Sequence, residues 1–357
     1  MNEAAHHRTL TRTDLRKRIR PSEFIAEKSI TAVALLSLAS IIMIFIFAFR
    51  EAAPIFFQKQ AVPSAAAQAP MAEQETYGEE MVAQIPGDAV GGKGGVETGS
   101  GEGENVTMEN LLGTMWQPVS SVPKFGLLPL VVGSFKVTLL AILLAAPIGI
   151  LAALFTSSFA PRWSKEILKP AIEILAGFPS VVIGFFGLVT MATFLQSTFG
   201  YTYRLNAFVG GVAMAFAVIP IVYTVSEDAL NAVPKYLSEA SLALGATKWE
   251  TALFVTLPAA TPGVFAAVVL GFGRAFGETM IVLMVTGNAA LLTPGVFEPV
   301  RTMSATIGSE MAEVVFGETH YTVLFLIGAI LFVFTFSLNA FAEIFVRQRL
   351  LRRFRGA

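Results

Sequence analysis

The sequence predicts an all-α, polytopic membrane protein with six transmembrane helices. Three observations carry that expectation. Hydrophobic residues make up 54% of the 357-residue chain and charged residues only 14%, where a soluble chain carries nearer a quarter. The charges are gathered into short blocks separated by apolar runs, and only uncharged helical stretches of about 20 residues cross the hydrocarbon. Basic residues crowd both ends, seven within residues 1–28 and five after Val346.

Taken in order, residues 1–29 read as a basic cytoplasmic tail and 30–49 as the first span, bounded by Lys28 and Arg50. Its apolar core exceeds that of a signal peptide, so it is read as uncleaved. Residues 50–126 read as an external, periplasmic loop. The Ala-, Gly- and Glu-rich stretch 58–104 within it has the composition of a disordered insertion, unable to build a packed core. Residues 127–346 form the transmembrane core, with spans at 127–156, 170–194, 205–226, 262–287 and 321–346. Pro147 and Gly149 lie inside the second span, Pro179 and Gly184 inside the third. A cytoplasmic loop occupies 227–261, and 347–357 is a second basic tail.

Orientation follows from lysine and arginine, which stay on the cytoplasmic side. Two basic ends demand an even number of spans, and Arg162, Lys165 and Lys169 after the second span fall on the same side. Lys136 is the exception, read as a long stem reaching the outer interface. Glu173 is placed at the cytoplasmic interface, just before the Phe178-Pro179-Ser180 break.

Several function classes fall away. A net charge of −1 gives no footprint for nucleic acid. The absence of cysteine excludes disulfides and thiol chemistry. His6, His7 and His320 form no metal-binding cluster, so no cofactor is expected on this chain.

Two segments carry function. The first lies in the 227–261 loop: Glu239, Ala240, Ser241, then Gly245, then Leu257 and Pro258. The pattern predicts a short surface helix, a turn at Gly245, where positive φ is tolerated, and a second helix returning to the bilayer past Pro258 and Pro262. The second lies in the fifth span, where Arg274 is about 12 residues beyond Pro262 and Glu278 follows four residues on. Arginine at mid-membrane costs at least about 2.5 kcal/mol, which points to an aqueous path or a partner. The i, i+4 spacing puts Glu278 on the same helical face, and Gly273 with Gly277 form a small-x-x-x-small pair for a close neighbouring helix. A forked guanidinium suits a tetrahedral oxyanion. A carboxylate beside it accepts a hydrogen bond from a protonated oxygen, which phosphate retains near neutral pH and sulfate does not. Arg301, in the external loop that follows, is a candidate contact at the outer mouth.

The Glu239–Pro258 spacing resembles the "EAA" loop of binding-protein-dependent ABC importers, with Ser241 in place of the second alanine. The run Gly273-Arg274-Ala275-Phe276-Gly277-Glu278-Thr279-Met280 through Gly287-Asn288 is similar to the PstC-type permeases of phosphate importers, as is Ala176-Gly177-Phe178-Pro179-Ser180. The resemblance implies a type I, MetI-like permease core in a bacterial inner membrane. It implies inorganic phosphate as substrate, with Arg274, Glu278 and Thr279 on its pathway. It also implies a PstA-type sister permease, a periplasmic phosphate-binding protein, and two ATPase subunits that hold ATP and magnesium and seat the loop carrying Glu239, Ala240, Ser241 and Gly245. No phosphate-binding Gly-x-x-x-x-Gly-Lys-Ser/Thr loop stands in this chain, so ATP chemistry is expected elsewhere. Two other readings stay open: a permease for sulfate or molybdate, and a stand-alone secondary transporter.

Overall fold

The computed structural model describes residues 21–57, 108–120 and 122–355. The N-terminal tail to residue 20, the 58–104 insertion and the side chains of the C-terminal basic tail lie outside that description.

The first helix, α1 (Pro21–Ala52), is followed by the single turn α2 (Pro54–Phe57). Beyond the insertion come the turn α3 (Met108–Leu111) and a two-stranded antiparallel hairpin, β1 (Trp116–Gln117) with β2 (Lys124–Phe125). These elements belong to the stretch read as external loop, yet they are folded. Leu111, Trp116 and Phe125 are buried against Val323, Leu324 and Ile327.

The core starts with α4 (Leu128–Ser158), which keeps its course through Pro147. After it, α5 (Arg162–Gly177) precedes a helical run built from α6 (Ser180–Phe186), one π-helical turn and α7 (Ala192–Phe199). Next are α8 (Ala207–Asn231), the short α9 (Lys235–Ala243) and α10 (Lys248–Thr251). A second π-helical turn, Ala252–Thr256, leads from α10 into α11 (Leu257–Phe276). Last are α12 (Met280–Val285), α13 (Met303–Glu310) and α14 (Thr319–Arg355).

Among the described residues, five helical runs are long and apolar enough to cross a membrane: Leu128–Ser158, Ser180–Phe199, Ala207–Asn231, Lys248–Phe276 and Thr319–Ala342. The first expected span lies on α1, a continuous helix of 32 residues. The all-α, membrane-spanning class is as the sequence predicts.

Two span boundaries need correction. The third crossing starts at Ser180, ten residues later than Pro170. A proline disfavours the helical region for its predecessor, and Phe178, before Pro179, is extended (φ −66°, ψ 129°). The chain ahead of that break is α5, an amphipathic helix whose Trp163, Ile167 and Ile174 are exposed. The fifth crossing begins near Lys248 and ends at Phe276, where 262–287 was expected. Pro258 and Pro262 do not interrupt it. The π-helical turn immediately before Leu257 widens the backbone where the Pro258 ring would otherwise meet the preceding turn.

The centre of the molecule is the pairing of α4 with α8. Val137, Ala141 and Ala145 interleave with Met214, Val218 and Val222, all buried. Small residues on α4 let the two backbones approach, as membrane helices require when hydrophobicity alone gives no drive to associate. Helix α11 packs across α8, α4 and α14, and α1 lies along α14.

Candidate functional site

The charged segment of the fifth crossing is a helix end. Helix α11 stops at Phe276, Gly277 caps it at φ −92°, ψ −1°, and α12 starts only at Met280. The Glu278 N–H turns back to the Ala275 carbonyl over 3.2 Å. Arg274 therefore sits in the last turn of a helix, and Glu278 in a three-residue break beyond it. The expectation that both share one helical face does not hold. Glycine has the weakest helix propensity after proline, and here it ends the helix between the two charges.

Arg274 is exposed and Glu278 and Thr279 are half-buried. Among the described residues, neither the guanidinium nor the Glu278 carboxylate has a hydrogen-bond or ion-pair partner. Mutual neutralisation is thus not how these charges are accommodated. Gly273 does meet a neighbouring helix: a Cβ there would lie 3.0 Å from Asn339 Oδ1 of α14. Gly277 meets none, its nearest neighbour being the Gly273 carbonyl at 3.8 Å. The expected glycine pair is one packing contact and one helix terminator.

The break is held from the side by α13. Thr302 caps that helix, its side chain accepting from the Ala305 N–H. Ser304 Oγ donates to the Glu278 carbonyl over 2.6 Å. Ser134 Oγ of α4 accepts from the Met303 N–H at 2.9 Å. Nothing in the sequence spacing signals these contacts.

At the other end of α13, Glu310 is a hub. Its carboxylate accepts from Trp116 Nε1 (3.1 Å), lies 2.9 Å from His320 Nε2, and pairs with Arg301. Burial pushes this carboxyl up, but the hydrogen bonds from His320 and Trp116 and the Arg301 charge outweigh it and hold it below the ordinary range. Arg301 Nε also donates to the carbonyl and Oδ1 of Asn288. Asn288 occupies the left-handed region (φ 48°) that asparagine tolerates better than most residues. Arg301 is thus a half-buried tie from Asn288 to Glu310, and through Glu310 to the hairpin and α14. His320, isolated in the sequence, is part of the same tie. Lys136 likewise donates to the carbonyls of Thr293 and Gly295, so it fastens the loop after α12 rather than simply reaching outward.

Between α8 and the fifth crossing, the short helix and the turn at Gly245 are as the spacing predicts. Helix α9 buries no residue, and Glu239, Ala240 and Leu244 are exposed while Ser241 is half-buried. Gly245 turns the chain at φ +90°, and Thr247 with Glu250 forms a reciprocal capping box at the start of α10. Ser241 Oγ and Thr251 Oγ1 lie 2.9 Å apart, and Ser238 Oγ and Thr256 Oγ1 3.3 Å, stitching α9 to the start of the fifth crossing. Leu257 and Pro258 form the first turn of α11.

An exposed helix and turn between two membrane crossings is the layout the resemblance implies. The sequence profile of the binding-protein-dependent transport system inner membrane component matches residues 145–350, more than half of the chain. The chain belongs to this family. It is therefore a transporter component, and a multi-pass membrane protein.

Other importer permeases are similar over much of their length. The probable ABC transporter permease protein YqgH of Bacillus subtilis is 40% identical over 229 residues, covering 64% of this chain and 74% of that protein. The phosphate transport system permease protein PstC of Mesorhizobium japonicum is 34% identical over 247 residues, covering 64% and 75%. A PstC of Xylella fastidiosa is 33% identical over 250 residues, covering 65% and 76%. A chain of the MetNI methionine ABC transporter, solved in inward-facing form, superposes with a TM-score of 0.47 at 20% identity, covering 62% of this chain and 94% of that one. The family match takes in α9, the break at Gly277–Thr279 and α13. The hairpin and α1 precede it.

Proposed function

We propose that this importer permease carries inorganic phosphate across a bacterial inner membrane, forming half of the pathway and drawing its energy from ATP hydrolysed on separate subunits. The observation that carries the reading is the Arg274 guanidinium, exposed and without a partner among the described residues, two residues from the end of α11 and beside a break that bears a carboxylate. An arginine in an apolar crossing is retained where a water-filled path or an anion meets it. The forked donor fits a phosphate oxygen pair. Glu278 accepts from a protonated phosphate oxygen and repels a fully deprotonated tetrahedral anion, which disfavours sulfate and molybdate. The similarity to permeases named for phosphate transport points the same way.

A single exposed face makes half a channel, so a sister permease of PstA type completes it in this reading. A periplasmic phosphate-binding protein delivers the anion to the outer end. Of two ATPase subunits that hold ATP and magnesium, one docks on α9 around Glu239, Ala240, Ser241 and Gly245, and their closure is passed through Leu257 and Pro258 into α11. Both termini then face the cytoplasm. A stand-alone secondary transporter would have no use for that exposed helix.

Uptake of radiolabelled orthophosphate in cells with this chain as their sole permease of its kind tests the proposal. Arg274→Ala is expected to lower the rate more than about tenfold, a loss of roughly 1.4 kcal/mol of transition-state stabilisation. Glu278→Gln is expected to keep uptake measurable but weaken discrimination against sulfate. Unchanged uptake in Arg274→Ala, at equal membrane abundance, overturns the reading.

A further inference from the structure

The break at Gly277–Thr279 is a weak place in the chain, yet the transport reading needs its charges at a defined position. Its own backbone supplies little to hold it. Helix α12 begins at Met280, and the first carbonyl it uses is that of Thr279, accepting from the Leu283 N–H over 3.0 Å. The Glu278 carbonyl lies one residue too early to join that ladder, and a half-buried carbonyl left unpaired has a cost. Ser304 supplies the missing donor at 2.6 Å, from a side chain itself only 5% exposed. One turn further along α13, Gly308 lies against Thr279: a Cβ there would come within 2.6 Å of Thr279 Cγ2. Ser304 and Gly308 are four apart, hence on one face of α13, and that face meets two successive residues of the break.

Helix α13 is itself firmly placed. Thr302 caps its start, Ser134 of α4 receives its Met303 N–H, and Glu310 at its end is gripped by Arg301, Trp116 and His320. We infer that Ser304 and Gly308 are positioning residues for transport: through the Glu278 carbonyl and the Thr279 side chain, they fix where the Arg274–Glu278 break presents its charges to the anion. The inference rests on the transport reading above. Ser304 and Gly308 are given no direct contact with the anion. They act by holding a non-helical peptide in register, as a rigid supporting shell does for a binding group.

The test uses cells expressing the complete transport system, with radiolabelled orthophosphate as the probe and rates divided by permease abundance in the membrane. Ser304→Ala removes the donor and is expected to lower the maximal rate about fivefold, the size of one hydrogen bond, with the half-saturating concentration unchanged. Ser304→Thr keeps the hydroxyl and is expected to restore most of the rate. Gly308→Ala places a methyl against Thr279 Cγ2 and is expected to slow transport comparably. Thr279→Ser removes that methyl group but keeps the hydroxyl, so Gly308→Ala/Thr279→Ser is expected to recover. If Arg274→Ala abolishes uptake while Ser304→Ala and Gly308→Ala match the wild type, the positioning role is wrong and the transport reading stands. If Arg274→Ala itself transports normally, the transport reading has failed. If the second-site change fails to rescue Gly308→Ala, the contact with Thr279 is not what Gly308 protects.

Discussion

Lys169 Nζ lies 2.7 Å from Oε1 of Glu227, joining the amphipathic α5 to the end of α8. The two side chains are unequal: Lys169 is 43% exposed, Glu227 only 8%. Hydrogen bonding to Glu227 raises the Lys169 pKa against the opposing effect of burial. Helix α8 leads three residues later into α9, so this pair ties α5 to the root of the exposed helix. The two residues are 58 apart in sequence, and no motif connects them.

Removing the lysine leaves a buried carboxylate without its cation. Lys169→Ala is expected to destabilise the permease by roughly 1–3 kcal/mol, less than for a fully enclosed pair because the ammonium is partly hydrated. Glu227→Gln in the same chain removes the stranded charge and is expected to recover much of the loss. Heat-inactivation half-lives in detergent measure both, and additive effects would show that the pair is not coupled.

Arg301 and Glu310 make a second prediction. If Arg301 serves as a tie and not as an anion contact, Arg301→Ala and Glu310→Ala destabilise by similar amounts, about 2–4 kcal/mol each. The double variant is then little worse than either alone. Thermal unfolding followed by tryptophan fluorescence checks this. A variant of Arg301 that keeps full stability but loses phosphate uptake would return it to the outer mouth.

The same hub has a pH dependence whose sign is fixed. The Glu310 carboxyl is held below its ordinary value, so its folded-state stabilisation is fully present above the unfolded carboxyl pKa of about 4.3 and is lost as pH falls through the depressed value. With Trp163 and Trp249 replaced by phenylalanine, Trp116 becomes the sole indole. Its emission is expected to shift as pH falls below the ordinary carboxyl range. Glu310→Gln should abolish that acid transition.

Gly245 makes the fourth prediction. At φ +90° with nothing within 4 Å of an added Cβ, Gly245→Ala acts through backbone strain alone, about 1–2 kcal/mol. Gly245→Asn is expected to be milder, because asparagine visits the left-handed region more readily. Both variants should reach the membrane at wild-type abundance and transport phosphate more slowly, in the order glycine, asparagine, alanine.

The two segments singled out in the sequence fared differently when folded. The turn at Gly245 was legible because glycine's tolerance of positive φ is a local property, complete within the residue itself. The geometry of Arg274 and Glu278 was not, because a four-residue spacing means one helical face only if the helix continues. Whether it continues depends on what fills the gap when Gly277 ends it. Here that is Ser304, 26 residues away, and no periodicity reports such a contact.

Composition and the spacing of apolar runs alone determined that this chain is helical, lies in a membrane and presents a short helix between two crossings. Those properties follow from the cost of an unpaired backbone or a charge in hydrocarbon, which each segment meets by itself. Tertiary structure decided which glycine packs and which one stops a helix. It also gathered Arg301, Glu310, His320 and Trp116 into one polar hub. A buried polar group must find a partner wherever the fold brings one within about 3 Å, and distance along the chain has no say in that.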